Sequence, residues 1–222
     1  MAPPPNITIQ HVKSPGEELL QEATNIYVDT LQDDPTLVGA TAGHLDRAPQ
    51  IILAVLKPIA LVSGEFYAAT DENGELVGFT AWVPPGRSTF DTEEQAAMGL
   101  NSFMESLHPD ARGPYLKTVN EDMPHFIDRA MGMPSAEKAC YWCWFAGVKP
   151  EYQRKGIFRS MLELVTAKAK AQGATMGVLT SNIRNTELLE RLGGFVNKGH
   201  TKVNAPWGEW EFWCLAKDTS AS

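Results

Sequence analysis

Residues 148–159 read V-K-P-E-Y-Q-R-K-G-I-F-R and join a predicted buried strand to a predicted amphipathic helix. The strand is indicated by the apolar, aromatic run from Tyr141 to Val148. From Ile157 onward apolar residues recur at the spacing of one helix face, and Gly173 marks the end of that helix. A strand that turns sharply into a helix leaves the first backbone N–H groups of the helix without partners. The stretch therefore predicts a binding site for an anion such as a diphosphate.

The composition of this turn fits an anion. Gly156 allows a phosphate to approach the backbone closely. Arg154, Lys155 and Arg159 raise the local potential in a chain whose formal net charge is −8. A lone glycine in a basic turn can also be an ordinary turn, so the interpretation depends on the rest of the sequence.

Length, charge and cysteine content limit the class of protein. The chain has 222 residues, of which 43% are hydrophobic, and this predicts one domain spanning residues 1–222. A pI of about 5.1 argues against nucleic acid or an anionic membrane as the main partner and favours a cationic or neutral small molecule. Three cysteines indicate no disulfide framework. The N-terminus lacks the features of a signal peptide, and the longest apolar run is too short to cross a bilayer, so we expect a cytoplasmic protein.

The periodicity of apolar residues predicts an α/β (α+β) fold. We expect a mixed, mostly antiparallel sheet of seven strands, flanked by helices, with one βαβ unit that carries the turn. Residues 84–138 are predicted to form a helical insertion between the third and fourth strands, either a lid or a dimerisation surface, and residues 218–222 a disordered tail. The predicted strands are 7–11, 65–70, 75–83, 141–148, 176–180, 195–204 and 210–216, and the other main helices are 19–31, 44–62, 157–172 and 185–192.

Three segments carry a family resemblance. Q-R-K-G-I-F at 153–158 matches the signature [Q/R]-x-x-G-x-[G/A] at Gln153 and Gly156 but not at Phe158. Residues 180–195 end in E-R-L-G-G-F, and residues 213–217 read W-C-L-A-K. Together they resemble the GNAT superfamily of acyl-CoA-dependent N-acyltransferases, and most closely the puromycin N-acetyltransferase-like group, which acetylates amines of small molecules.

The resemblance implies a GNAT fold and a co-substrate, acetyl-CoA, whose pantetheine arm lies between two strands that separate. It implies direct attack of a neutral amine of a small molecule on the thioester, with no metal, and a backbone N–H near Val148 that polarises the carbonyl. The residues implied to bind acetyl-CoA come from the strand, the turn and the next helix: Phe145, Ala146, Val148, Gln153, Arg154, Lys155, Gly156, Ile157, Phe158, Arg159 and Asn185.

Two positions depart from the family pattern. Phe158 occupies a small-residue position and would narrow the diphosphate pocket unless its ring turns into the core. The tyrosine that commonly protonates the leaving thiolate corresponds to Leu189. Leu189 shares a helix face with Asn185, so it either lines the cleft or packs in the core.

Because a leucine cannot donate a proton, other side chains are candidates for the general acid and the general base. Tyr141 and Cys143 lie on one face of the central strand and offer a hydroxyl and a thiol. Glu65 is a candidate general base. Further acidic candidates, each also typical of a solvated surface, are Asp29, Asp33, Glu209 and Glu211.

Alternatives to the enzyme remain at this stage. Cys140 and Cys143 form a C-x-x-C pair, but residues three apart on a strand point to opposite faces, so no metal site is predicted. A non-catalytic acyl-CoA-binding module that lost its general acid fits the same motifs, and so does a turn that binds another nucleotide. A homodimer is also compatible with the sequence.

Overall fold

The computed structural model describes residues 4–32 and 34–219, and within them the sheet has seven strands in the order β1-β2-β3-β4-β5-β7-β6. In this part of the chain β4 and β5 are the one parallel pair, and every other neighbouring pair is antiparallel. The predicted mixed sheet is therefore confirmed. The strands are β1 (Thr8–Val12), β2 (Glu65–Thr70), β3 (Leu76–Val83), β4 (Tyr141–Val148), β5 (Met176–Thr180), β6 (Val196–Ala205) and β7 (Gly208–Lys217).

Helices cover both faces of this sheet. The helices are α1 (Glu17–Thr30), α2 (Pro35–Ala40), α3 (Ala48–Pro58), α4 (Glu93–Ala97), α5 (Leu100–Ser106), α6 (Pro109–Lys117), α7 (Met123–Met131), α8 (Ala136–Ala139), α9 (Ile157–Ala171) and α10 (Ile183–Gly193). Helix α2 was not predicted, although Asp34 followed by Pro35 is a helix-start signal. The Asp34 side chain accepts a hydrogen bond from the Thr36 amide and caps this helix.

Helix α9 packs on the sheet through the face that the sequence predicts. Ile157, Met161, Val165 and Ala169 are each at most 1% exposed. Helices α1 and α3 pack on the opposite face, around Phe66 and the rest of the largest apolar cluster. The turn before α9 is consequently held between a buried strand and a buried helix.

The insertion between β3 and β4 packs against its own sheet. Its described residues form helices α4 to α8, where the sequence predicted three helices: Gly99 divides the first of them at a φ of 150°, and the short helix α8 was not predicted. Phe126 and Ile127 of α7 join one apolar cluster with Trp142 of β4. The Tyr115 hydroxyl of α6 donates to the Ala40 carbonyl of α2 at 3.1 Å. The insertion is therefore packed against β4 and α2 of its own chain.

The C-terminal tail is ordered further than predicted. Thr219 is 4% exposed, and its hydroxyl donates to the Ala174 carbonyl at 2.7 Å. The prediction of disorder is therefore wrong at this position, because one buried hydrogen bond fixes the chain after β7. Residues 220–222 lie outside the described residues.

Candidate active site

The sheet opens between β4 and β5. In this fully described part of the chain the two strands pair at Tyr141 with Met176, Trp142 with Gly177 and Cys143 with Val178, and not beyond. After Cys143, β4 stays paired with β3, whereas β5 stays paired with β7. A wedge-shaped gap therefore separates the second halves of the two strands, and backbone groups that face it have no ladder partner.

A β-bulge lies at the point where this gap begins. Ala81 of β3 pairs with Phe145, and the next residue, Trp82, pairs with Cys143, so Trp144 is the extra residue. A bulge bends its strand and leaves the extra residue outside the ladder. Phe145, Ala146 and the remainder of β4 follow along the gap. The sequence offered no turn or glycine signal for the bulge.

The turn at the end of β4 leaves helix N-H groups accessible. Gly156 precedes α9 with a φ of 87°, and no side chain of the described residues caps the helix there. The Ser160 amide is the first in the helix to find its partner, the Gly156 carbonyl, at 3.0 Å. A Cβ atom on Gly156 would meet no described atom within 4 Å. The amides of Ile157, Phe158 and Arg159 are therefore available to an anion, and the space next to Gly156 is open.

The side chains of the turn fall into two groups. Arg154 and Lys155 are exposed, and the Lys155 ammonium lies 4.8 Å from the centre of the Tyr152 ring. Gln153 donates to the Val148 carbonyl at 3.0 Å and ties the turn to the strand, and Arg159 lies 3.0 Å from the Glu163 carboxylate.

Phe158 does not narrow the turn. Its ring packs against the apolar clusters around Val165 and Met161 under the helix. Of the two alternatives for this position, the structure therefore shows the ring in the core.

Leu189 is part of the core. It is 7% exposed and belongs to the same apolar cluster as Leu162, Val178 and Phe195. Asn185, one turn earlier on α10, is partly buried. Its backbone N–H donates to the Asn182 side-chain oxygen at 2.9 Å. The position of the family's usual acid is thus filled by a packed hydrocarbon side chain.

Glu65 and Tyr141 lie at the paired end of β4 and β5, away from the turn. Tyr141 is the first residue of β4, seven positions before Val148, which is roughly 23 Å of extended strand. Glu65 accepts hydrogen bonds from Lys168 and Tyr67, each at 2.7 Å. The Tyr141 hydroxyl is buried beside this carboxylate but makes no well-aligned hydrogen bond to any described residue. The structure therefore groups these two candidates with an ion pair, roughly 10 Å of extended strand before the bulge at Trp144.

The negative charge of Glu65 is balanced by the positive charge of Lys168. Burial would raise the pKa of Glu65, but the hydrogen bonds from Lys168 and Tyr67, together with the nearby Tyr141 hydroxyl, lower it overall. A carboxylate held ionised by a lysine is a weak general base. This group stabilises the contact of β2 with α9.

Cys143 lies where the strands part. It is 8% exposed, and its thiol contacts the Phe145 carbonyl at 3.7 Å. Burial raises the pKa of this thiol above its ordinary value. Cys140 belongs to a different apolar cluster, so the two thiols lie apart, as strand alternation predicts.

Two residues that the sequence analysis did not select link other elements to β4 and to the end of β5. Tyr27 of α1 packs its ring edge-on against Phe145, with ring centres 4.9 Å apart. The Asp34 carboxylate accepts hydrogen bonds from Ser181 at 2.8 Å and Asn182 at 2.9 Å, directly after β5. Tyr27 lies on the predicted apolar face of its helix, and this position gave no reason to separate it from the core.

A cleft of about 310 Å³ adjoins Asp34 at the end of β5. Two of the acidic candidates line it, and of these Glu209 pairs with Lys202, while Glu211 lies 3.6 Å from His200. Asp29 is exposed, and Asp33 lies outside the described residues. The cleft is lined by Pro35, Ser181, Lys202, Glu209, Trp210 and Glu211.

Two further classes of site were sought within residues 4–32 and 34–219. These residues contain no group of three His, Cys, Asp or Glu side chains placed to hold a metal ion. None of their helices is long and apolar enough to span a bilayer.

Comparison with known proteins places these features in a family. The sequence model described as Acetyltransferase (GNAT) family matches residues 41–195. No curated protein matches the chain.

Solved structures with a similar fold cover nearly the whole chain. A protein described as histone acetyltransferase HPA2 and related acetyltransferase, from Corynebacterium glutamicum, is 17% identical with a TM-score of 0.55, over 94% of this chain and 95% of that chain. A phosphinothricin acetyltransferase from Sinorhizobium meliloti in complex with AcCoA is 14% identical with a TM-score of 0.54, over 96% and 88%. A mutant agmatine N-acetyltransferase in its apo form is 13% identical with a TM-score of 0.54, over 95% and 98%. At these identities the likeness shows the fold.

Proposed function

The chain belongs to the GNAT family of acetyltransferases, and we propose that it transfers the acetyl group of acetyl-CoA to an amine of a small molecule. The observation that carries this proposal is the gap between β4 and β5, which begins at a bulge and ends at an open, basic helix N-terminus. The gap offers unpaired backbone groups to an extended chain, and the turn offers N–H groups to a diphosphate. Acetyl-CoA has both parts.

In this proposal the diphosphate of acetyl-CoA lies on the turn. The amides of Ile157, Phe158 and Arg159 donate to it, and Arg154 and Lys155 supply charge. The open space next to Gly156 lets a phosphate oxygen reach the backbone. Gln153 keeps the turn attached to β4 through its bond to the Val148 carbonyl.

The pantetheine arm then follows β4 toward the bulge. The backbone of Phe145, Ala146 and Val148 offers hydrogen bonds along the gap, and Asn185 reaches it from α10. A backbone N–H at the bulge is the donor nearest to where the thioester carbonyl would lie, and it stabilises the oxyanion as the amine attacks. The fixed placement of thioester and amine supplies much of the rate.

A small, positively charged acceptor fits the far side of the gap. The cleft at the end of β5 has about 310 Å³, at the lower end of the range of small-ligand sites. Glu209 and Glu211 line it together with Lys202, which pairs with Glu209, and Asp34 lies beside it. In a chain of net charge −8, such carboxylates attract an ammonium group and hold it until it loses a proton.

Turnover tests the enzyme against a binding module. The packing of Leu189 at the family's acid position favours the second candidate function, a non-catalytic acyl-CoA-binding protein. Both bind acetyl-CoA, but only the enzyme releases free thiol faster when amines are added. We expect thiol release above the no-amine background for at least one member of a panel of mono- and diamines. If acetyl-CoA raises the melting temperature while every amine leaves the background unchanged, the protein is a binding module, and stabilisation by ATP or NAD alone would contradict both.

Gly156→Asp tests the turn. The substitution adds bulk and negative charge next to the diphosphate, so we expect acetyl-CoA affinity to fall by at least about tenfold, or roughly 1.4 kcal/mol. Gly173→Asp is the matched control, because Gly173 has a φ of 63° and no described atom within 4 Å of its Cβ position. It carries the same backbone strain at the other end of α9. Equal affinities of the two folded variants, measured by calorimetry, would show that the turn does not bind the diphosphate.

A further inference from the structure

Trp144 lies on β4 at the point where the gap begins. It is the extra residue of the bulge and the first residue after Cys143, the last position of β4 that pairs with β5. Its ring packs against the apolar cluster of α1 and α3 and also against the cluster of α7 and α8. Cys143 and Phe145 on either side are at most 8% exposed, whereas Trp144 is only partly buried. The indole therefore lies between two packed regions and keeps part of its surface open.

Two more apolar side chains lie on the same face of the sheet as Trp144. Because Cys143 pairs with Val178, Leu179 of β5 is the residue across the gap from Trp144. Leu179 and Phe212 of β7 pack against the same cluster of α7 and α8 as the indole, and both are also only partly buried. Trp144, Leu179 and Phe212 together form an apolar patch beside the start of the gap.

The other face of the sheet is closed at this point. Cys143 and Leu189 are at most 8% exposed and belong to the apolar cluster around α9, and the ring of Phe158 packs against that cluster. In the proposed function the thioester lies at the bulge, so an acceptor on the α9 face would have to displace this core. The face that carries the apolar patch is therefore the side from which an acceptor reaches the thioester.

Resting on the proposed function, we infer that the acceptor is an amine joined to an apolar group, and that Trp144 determines this specificity by packing against that group. The attacking nitrogen must come within about 3–3.5 Å of the thioester carbon, so the atoms next to it lie over the bulge and against the indole. A tryptophan ring offers a large apolar surface with a defined geometry. A hydroxyl or a second ammonium group held against the apolar patch would lose its water, and the three side chains offer no acceptor atom for its protons.

The acidic cleft and the apolar patch act on different parts of such an acceptor. Ser181, which lines the cleft, is two residues past Leu179, roughly 7 Å along extended backbone. The carboxylates of the cleft attract the ammonium form from solution. The apolar patch then holds the hydrocarbon while the nitrogen, once neutral, faces the thioester. Trp144 is thus a specificity-determining residue and takes no part in the bond changes.

A pair of acceptors tests the inference. 2-Phenylethylamine and ethanolamine carry a primary amine on the same two-carbon chain, which ends in a phenyl or a hydroxyl group. We expect kcat/KM to be at least about tenfold higher for 2-phenylethylamine, an effect of the size that small apolar groups produce in apolar sites. Trp144→Ala should lower kcat/KM for 2-phenylethylamine by at least about tenfold and that for ethanolamine by less than about threefold. The KM for acetyl-CoA should change by less than about threefold, because the backbone of β4 is kept.

A matched control and a second variant accompany this substitution. Trp213→Ala removes a partly buried indole from the other face of the sheet, where it stacks on His200 with ring centres 4.7 Å apart, and should leave the preference unchanged. Leu179→Gln keeps the length of the side chain, places an amide in the apolar patch and should reduce the preference by at least about threefold. Calorimetry of 2-phenylethylamine binding to the protein saturated with CoA measures the same contact without turnover.

The outcomes separate this inference from the proposed function. An unmodified protein that binds acetyl-CoA but acetylates no amine overturns the proposed function and this inference with it. An active protein that prefers ethanolamine, or in which Trp144→Ala and Leu179→Gln keep the preference for 2-phenylethylamine, overturns the role of the apolar patch alone. Equal losses of kcat/KM for both amines in Trp144→Ala would also overturn it, because the indole would then support the bulge and not select the acceptor.

Discussion

Leu189→Tyr tests whether the family's acid can be restored at its usual place. Leu189 is 7% exposed in a cluster with Leu162, Val178 and Phe195. A tyrosine there adds an oxygen and a wider ring to a filled site, and overpacking costs about 1–3 kcal/mol. Its hydroxyl would be buried without a partner, at about 1–3 kcal/mol more. We expect a loss of about 2 to 6 kcal/mol in the free energy of unfolding and no gain in kcat.

Urea unfolding and thermal melting measure this loss. In a domain of this size each kcal/mol lowers the melting temperature by about 2–4 °C, so a decrease of roughly 4 to 24 °C is expected. Leu188→Tyr is the control, because Leu188 is only partly buried on the same helix and should tolerate the larger ring. A Leu189→Tyr protein with an unchanged melting temperature and a higher kcat would refute this reasoning, since the position would then face the thioester.

Two further predictions concern Glu65 of β2 and Gly177 of β5. Burial would raise the pKa of Glu65, but the Lys168 hydrogen bond and two tyrosine hydroxyls lower it, so its stabilisation is complete above about pH 4.3 and is lost as the pH falls through the folded-state pKa. Glu65→Gln should therefore destabilise the protein by on the order of 1 kcal/mol at pH 7, and by less near pH 3.5, in urea unfolding. The kcat of this variant should stay within about twofold of the unmodified protein. A tenfold loss of kcat with intact acetyl-CoA binding would instead indicate that Glu65 is the general base. Gly177→Ala places a Cβ 2.3 Å from the buried Trp142 ring, and the melting temperature should fall by several degrees, corresponding to at least about 2 kcal/mol. Gly113→Ala, in α6 with no described atom within 4 Å, should be neutral or stabilising, and similar losses in the two variants would contradict this packing argument.

The sequence predicted the features that are formed by residues close together in the chain. The turn at 153–159 was recognised because a glycine, basic residues and the start of a helix face are adjacent in the chain, and the structure has Gly156 at a left-handed φ before α9. The succession of strands along the chain was predicted from the alternation of apolar and polar residues and from turn residues. Phe158 had two interpretations, and only its packing under α9 decided between them.

Long-range packing decided the candidate acid and base. Glu65 looked like an isolated carboxylate, but Lys168 lies 103 positions later in the chain and pairs with it at 2.7 Å. The helix face on which Leu189 lies is compatible with either the cleft or the core. Its contacts with α9 and β5 show that it packs in the core. Such partners are distant in sequence, so no local pattern reveals them.

The sequence by itself determined the family, the mixed sheet and the strand, turn and helix around Gly156, because each depends on the periodicity or adjacency of residues. Only the tertiary structure decided where β4 leaves β5, since the bulge at Trp144 arises from the register with β3 and not from a local signal. It also placed the Tyr27 ring against Phe145 and the Asp34 carboxylate on Ser181 and Asn182, across more than a hundred residues of chain. A side chain on an apolar helix face looks the same in sequence whether it meets a filled core or an opening in a sheet, and the difference is made by the backbone opposite it.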